Sequence, residues 1–149
     1  MKIIIHGGFF SESSQSSETK LAKQQALTSI VEKAYGYLKN HTALQTIVYA
    51  VELLENDELF NAGIGSQIQS DGKIRMSASL MDGLTTRFSG VINIEDTKNP
   101  IRVAEKLFTY DDRVLGGSGA TNFARQNGFE EFSTEIPQRR KEYKEKLAS

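Results

Sequence analysis

Few side chains in this sequence can do chemistry on their own, and their spacing narrows the choice further. The two histidines, His6 and His41, stand far apart and have no acidic partner at ligand spacing, so the pattern contains no local metal motif. His6, at the end of a short β-branched run, reads as a structural imidazole bonded to backbone, and His41, just ahead of a helix, reads as exposed. The chain has no cysteine, which removes disulfides, zinc-thiolate sites and a cysteine nucleophile. Gly65-Ser66-Gln67 and Gly117-Ser118-Gly119 both lack the Gly-x-Ser-x-Gly frame of a nucleophile elbow, which argues against a histidine-based triad. Gly116-Gly117-Ser118-Gly119-Ala120 offers backbone N–H groups and a helix N-terminus to an anion. A dinucleotide fingerprint, however, needs a third glycine where Asn122 stands, and close helix–sheet packing explains these glycines more simply.

What remains is an amide. Leu59-Phe60-Asn61-Ala62-Gly63-Ile64-Gly65-Ser66 is a mostly apolar loop whose glycines admit positive φ and close packing. Such a loop is expected inside the protein with its backbone groups partnered, leaving Asn61 as its one versatile polar side chain. The residues alone leave two readings open: a buried helix-to-strand turn in which Asn61 ties the backbone, or a rigid ledge beneath an active site.

The elements that must position these groups follow from the period of the apolar residues. Lys2-Ile3-Ile4-Ile5-His6, closed by Gly7-Gly8, reads as a buried first strand, and its apolar run ends too soon for a signal peptide or a membrane span. The serine-rich stretch 11–17 has no hydrophobic period and reads as a flexible connection. Leu27, Ile30, Val31, Ala34 and Leu38 recur at helical spacing and predict a helix over about 18–40 that lies on a sheet. Thr42-Ala43-Leu44-Gln45 is a capping-box pattern opening a second helix, with Leu44, Ile47, Val48, Val51 and Leu54 as its buried stripe. Glu55, Asp57 and Glu58 cluster at its C-terminal end, where the helix dipole disfavours negative charge, so a compensating group such as a cation is expected. Residues 67–69, the turn signal Ser70-Asp71-Gly72 and residues 73–81 predict a hairpin; Asp82-Gly83 is a second turn and 85–95 another strand. Asn99-Pro100 starts a short helix with Val103, Ala104, Leu107 and Phe108 inward, and Arg113-Val114-Leu115 is a brief strand. The glycines at 116–119 lead into a helix ended by Asn127-Gly128, and the charge-dominated segment 129–149 reads as loosely held.

A chain of 149 residues with a formal charge of -1 fits one domain with a sizeable core. It has no basic excess for nucleic acid or an anionic membrane, and the absence of cysteine fits a reducing cytoplasm.

Several of these pieces become specific when taken in register. His6-Gly7-Gly8, Ala43-Leu44, Leu53-Leu54-Glu55, Leu59-Phe60-Asn61-Ala62-Gly63-Ile64-Gly65, Met81-Asp82-Gly83, Lys98-Asn99-Pro100 and Gly117-Ser118-Gly119-Ala120 match a known pattern in order and spacing. Over nearly the whole chain the sequence resembles the α-subunit of the plant-type L-asparaginase and isoaspartyl peptidase family. The resemblance implies an α+β fold, the αββα sandwich of the N-terminal nucleophile hydrolases, of which this chain is the α-subunit half. Such proteins arise from one precursor that cuts itself into α and β chains. Residues 1–128 would belong to the hydrolase domain and 129–149 would be a flexible linker, with the cut after Ser149 if that is the natural end. The nucleophile would be a threonine that opens the β-subunit, with its own α-amino group as base. Its substrates would be small molecules, asparagine through its side-chain amide or β-aspartyl (isoaspartyl) dipeptides through their isopeptide link.

Residue by residue, Asn61 matches the family asparagine that supports the nucleophile, a neutral amide that orients a hydroxyl without competing for its proton. His6, Gly7 and Gly8 match a turn near the active site. The Asn61 loop also matches a sodium-binding stabilisation loop, with the backbone oxygens of Leu54, Glu55, Asp57, Phe60, Ala62 and Ile64 as ligands, a donor type suited to a hard monovalent cation. No organic cofactor, nucleic acid or membrane is implied, and the expected assembly is a dimer of αβ units. Two departures stand out: Phe9 and Phe10 replace a small pair after His-Gly-Gly, where their bulk could alter substrate fit or self-cleavage, and Gln45 stands where Asp is frequent, with little effect expected on the capping box. The alternatives are a glycosylasparaginase, disfavoured by the lack of a signal peptide and cysteines, a taspase-like endopeptidase, or a non-catalytic α/β module that binds an anion at 116–120.

Overall fold

The computed structural model of the chain describes residues 1–8 and 16–148. Helices α1 (Ser17–Leu38) and α2 (Ala43–Glu55) are followed by strands β1 (Met76–Asp82) and β2 (Arg87–Ile94), helix α3 (Pro100–Leu107), strand β3 (Val114–Gly116) and helices α4 (Gly117–Gln126) and α5 (Pro137–Ala148). The architecture is mixed α+β, with one sheet in the order β1-β2-β3 among the described residues.

β2 is the central strand, antiparallel to β1 and parallel to β3. The β1–β2 turn is set by Asp82, whose Oδ1 accepts the Leu84 N–H at 3.0 Å and whose Oδ2 accepts the Thr85 hydroxyl at 2.7 Å. Parallel pairing needs a crossover, and α3 supplies it. A bulge keeps the buried face in phase: Met76 opposes Ile94 but Ala78 opposes Val91, and Asn93, at φ 55°, donates its N–H to the Ser77 hydroxyl at 3.2 Å. Ile94 thereby joins Val91 and Met76 on one face, packed against Val103 and Leu107 of α3 and Ala120 and Ala124 of α4. The Ser89 hydroxyl, buried under α3, donates to the Ala104 carbonyl at 2.6 Å. A second cluster of Val48, Leu80 and Ile101 brings α2 beside the start of α3.

Several expectations are corrected. Residues 2–6 form no strand, and Ile4 is 93% exposed. A β-branched run becomes a strand only beside another strand, and the sheet formed by the described residues does not include this one. The turn at 70–72 forms, with Gly72 N–H bonded to Gln69 O at 2.9 Å and Gln69 N–H to Lys73 O at 2.8 Å, but no ladder flanks it. The hairpin is β1–β2 instead. α1 packs on α2 rather than on the sheet, because α2, α3 and α4 already cover the sheet's inner face. On α2, Val48 faces the sheet while Thr46 and Ala50 are buried about 180° around the helix; Ile47 falls on the arc between and is 42% exposed. The start of α1 takes over part of the serine-rich stretch: Ser16 caps it by accepting the Thr19 N–H at 3.2 Å, while residues 11–15 lie outside the described residues. Residues 137–148 form α5, supported along its surface by Arg139–Glu142 and Gln138–Glu142 contacts.

The capping box of Thr42 and Gln45 is present in full, and His41 is exposed, its ring stacked on Tyr37 at 3.5 Å. The outer face of the sheet carries Met81, Phe88, Ile92 and Val114, each between 43% and 55% exposed, around a shallow depression floored by Gly90. An apolar sheet face with edges at β1 and β3 is a surface that water does not favour. Produced without any partner, residues 1–149 are expected to bind a hydrophobic dye and to melt without a sharp transition. A dye-free monomer with one cooperative unfolding transition would show that this face is tolerated in water.

Candidate active site

The site grows from the C-terminal end of α2. Asn56 N–H bonds back to Glu52 O at 3.0 Å, Asp57 Oδ1 accepts the Leu59 N–H at 3.0 Å, and Phe60 N–H reaches Asp57 O at 3.2 Å, so the chain leaves the helix through tight turns. Phe60 anchors it, at 3% exposure. Gly63, at φ 51°, then reverses the chain so that Ile64 donates to Glu55 O at 2.7 Å. A Cβ at Gly63 would stand 2.1 Å from that same carbonyl oxygen, and a Cβ at Gly65 2.6 Å from Glu58 O, so only glycine permits this close fold-back. The first segment lies on the same spot: a Cβ at Gly7 would meet the Phe60 ring at 2.8 Å and Leu27 at 2.9 Å.

The backbone-tying reading of Asn61 is present in its geometry. Its Oδ1 accepts the Gln67 N–H at 2.9 Å, and because a backbone N–H can only donate, this bond fixes which end of the amide is oxygen. The amino end has no partner among the described residues. The loop's backbone is inside, with Gly63, Gly65 and Ser66 buried, whereas Asn61 itself is at the surface, contrary to a fully interior loop. A tied carbonyl behind and a free amino group in front make a fixed donor.

Glu55 takes a role that its place in an acidic cluster did not suggest. Its carboxylate is buried and accepts the Ile101 N–H at 3.0 Å on Oε1 and the Asn99 amide at 3.2 Å on Oε2. Asn99 precedes α3 without capping it through its own side chain, so Glu55 caps α3 from another helix. Burial pushes the Glu55 carboxyl up to about 7, against the opposing pull of the Ile101 N–H and Asn99. The compensation expected for negative charge at the end of α2 is therefore the N-terminus of α3 in the case of Glu55. Asp57 is spent on its own turn, and Glu58 is exposed.

The six backbone oxygens matched to a cation loop divide in two. Leu54, Glu55 and Asp57 each already accept an N–H and keep a second lone pair. Phe60, Ala62 and Ile64 carbonyls have no donor among the described residues. No group of three or more His, Cys, Asp or Glu side chains able to hold a metal occurs among the described residues.

The remaining candidates lie apart from this ledge in kind. His6 is exposed, and its Nδ1 accepts the Gly8 N–H at 3.4 Å. Gly117, at φ 53°, opens α4, but a Cβ at Gly117 or Gly119 would meet nothing within 4 Å. Close helix–sheet packing is thus not what keeps those positions small. Phe9, Phe10 and Ser149 lie outside the described residues. Sequence reasoning missed Gln67, whose backbone orients Asn61, and Thr134 and Arg139, which hold Gly65 through its N–H at 3.2 Å and its carbonyl at 2.7 Å. Proximity in sequence could have pointed to Gln67; contacts to a backbone leave no pattern for the other two.

The described residues thus form a mixed α+β scaffold that presents one oriented amide from a glycine-reversed loop. Residues 1–149 match the family described as Asparaginase, and the chain belongs to it. An isoaspartyl peptidase/L-asparaginase of Synechocystis sp. is 48% identical over 127 residues, covering 84% of this chain and 38% of the relative. A plant-type L-asparaginase of Pyrococcus furiosus is 38% identical over 151 residues, 96% of this chain and 46% of the relative. An isoaspartyl peptidase of Escherichia coli is 35% identical over 151 residues, 99% of this chain and 47% of the relative. The chain spans less than half the length of these relatives.

Glu55→Ala leaves the Ile101 N–H without its acceptor in a buried place and is expected to destabilise the protein by about 2 kcal/mol or more. Glu55→Gln keeps an acceptor oxygen and is expected to lose less than half of that. Denaturant midpoints of the protein expressed from its whole reading frame check this; equal midpoints for the two variants would show the acceptor to be dispensable.

Proposed function

We propose that this chain is the α-subunit of an autoprocessed threonine hydrolase that cleaves the side-chain amide of L-asparagine, the isopeptide link of β-aspartyl dipeptides, or both. The observation that carries the reading is the Asn61 amide, held by the Gln67 N–H at 2.9 Å with its amino end unpartnered. Membership of the asparaginase family and the printed names of the relatives support the reaction class. In this reading the chain is half of an αββα sandwich, and the second half covers the apolar sheet face of Met81, Phe88, Ile92 and Val114. A β-subunit beginning with threonine completes the site, and the αβ units pair about a twofold axis. The absence of cysteine supports a cytoplasmic setting, and no helix of the described residues is long and apolar enough to cross a membrane.

The chemistry is acyl transfer. The threonine hydroxyl oxygen attacks the amide carbon while its proton passes to the threonine's own α-amino group; the C–N bond breaks as the leaving amine takes up a proton, and water hydrolyses the ester. Asn61 donates from its amino group to the hydroxyl oxygen, fixing the attacking atom without drawing off its proton. In this reading the turn of His6, Gly7 and Gly8 lies near the reacting atoms, and the close approach of Gly7 to the Phe60 ring, next to Asn61, supports it. A sodium ion held by the backbone oxygens of Leu54, Glu55, Asp57, Phe60, Ala62 and Ile64 fits this chain's residues: the last three have no donor among the described residues, and the last turn of α2 has no basic residue. Such an ion would supply rigidity rather than reactivity.

Asn61→Ala is expected to lower kcat by about a hundredfold or more, as loss of a preorganised donor does, with the far-UV spectrum unchanged. A parental rate with asparagine and with a β-aspartyl dipeptide would remove Asn61 from the site. Exchange of sodium for tetramethylammonium is expected to lower Tm, since a ligand of the native state alone stabilises it. Superimposable melting curves would mean that no specific ion is held.

A further inference from the structure

We propose that residues 134–143 form a strap in which Arg139 is a positioning residue for the Asn61 amide, an inference that rests on the reading of Asn61 given above. The segment stands out from its charged surroundings because Thr134 and Ile136 are buried, at 3% and 9% exposure. Thr134 O accepts the Gly65 N–H at 3.2 Å. Arg139, in the first turn of α5, donates from Nε to Gly65 O at 2.7 Å and from Nη1 to Glu142 at 2.8 Å, with its side chain only 16% exposed. One turn further on, the Tyr143 hydroxyl donates to Ser70 O at 3.3 Å, and a Cβ at Gly72 would come within 3.3 Å of the same hydroxyl.

These contacts converge. Strap residues 134, 139 and 143 all land on the stretch 65–72, and both backbone groups of Gly65 are taken. Gly65 sits at φ 95° against Glu58 O, with no side chain to hold it, so backbone hydrogen bonds alone fix its place. Two residues later comes Gln67, whose N–H sets the Asn61 carbonyl. Displacement of Gly65 is therefore carried to the amide through one short piece of rigid chain. The planar guanidinium suits the task because its fork binds Gly65 O and Glu142 at once, which a lysine ammonium cannot do in the same plane. A tail that merely needed anchoring could bind anywhere on the surface; this one binds the loop that aims the donor.

The test uses the protein expressed from its whole reading frame, assayed with L-asparagine and a β-aspartyl dipeptide, with Asn61→Ala measured beside it. Arg139→Gln is expected to lower kcat about tenfold with KM within about twofold, as a small misplacement remote from the chemistry does. Amide exchange at Gly65 and Gln67 is expected to quicken in that variant, with β2 unchanged. A role in stability alone would leave kcat per folded enzyme at the parental value. Parental kcat in Arg139→Gln beside a slowed Asn61→Ala overturns the proposal, as does a slowed kcat with unaltered exchange at Gly65 and Gln67. Parental kcat in Asn61→Ala instead sinks the underlying reading of the site, and exchange then decides the strap: faster exchange supports it and unchanged exchange overturns it. Should Arg139→Gln not accumulate in folded form, Tyr143→Phe, which removes only the Ser70 contact, is judged by the same readouts.

Discussion

A buried carboxylate on the last turn of α2 joins three stretches of chain that are distant in sequence. Through its carbonyl, Glu55 receives Ile64 from the returning loop; through its side chain, it receives Ile101 and Asn99 from the start of α3. Burying a carboxylate is costly, and the upward push on its proton affinity records that cost. The offset comes from two donors and from the positive end of a helix, which Asn99 and Pro100 leave uncapped by any side chain of their own. Hydrophobic contact of Val48 with Leu80 and Ile101 holds the same two helices together about two turns back along α2, so the polar knot and the apolar cluster enforce one geometry.

From this knot the loop has little freedom. Gly63 is pressed so closely on Glu55 that no other residue fits, and Gly65 is also too close to Glu58 for a side chain. Between these two fixed points and the buried Phe60, the backbone cannot swing, and the single hydrogen bond from Gln67 then suffices to orient Asn61. An amide on a mobile loop would lose most of its value as a donor, because the ordering cost would be met at each turnover rather than once on folding. The Asn61 carbonyl that ties the backbone thus also fixes where its amino group points.

What could be read from sequence was local. The capping box at Thr42 and Gln45, the proline-led start of α3, the turn at Asp82 and the positive φ of Gly63 and Gly65 all depend on residues a few positions apart, and all are present. What misled was partnership. Residues 2–6 have the composition of a strand but no neighbour in the sheet, and α1 has the period of a sheet-packing helix but meets α2. The compensating group expected beside Glu55 could not be named from sequence because its side-chain donors lie more than forty residues away. The segment after Gly128 looked unattached because Thr134 O and Arg139 spend themselves on the backbone of Gly65, and a backbone partner carries no sequence signature.

Four of the seven short pieces that carry the family resemblance have a physical reason in this structure. Asp82 closes a turn; Asn99 reaches Glu55; Gly7 lets the first segment lie on Phe60; Gly63 and Gly65 fold the loop from which Asn61 presents a donor with no partner among the described residues. Gly119 is the exception, open on this chain where a side chain would meet nothing. It lies on α4, which begins where β3 leaves the sheet.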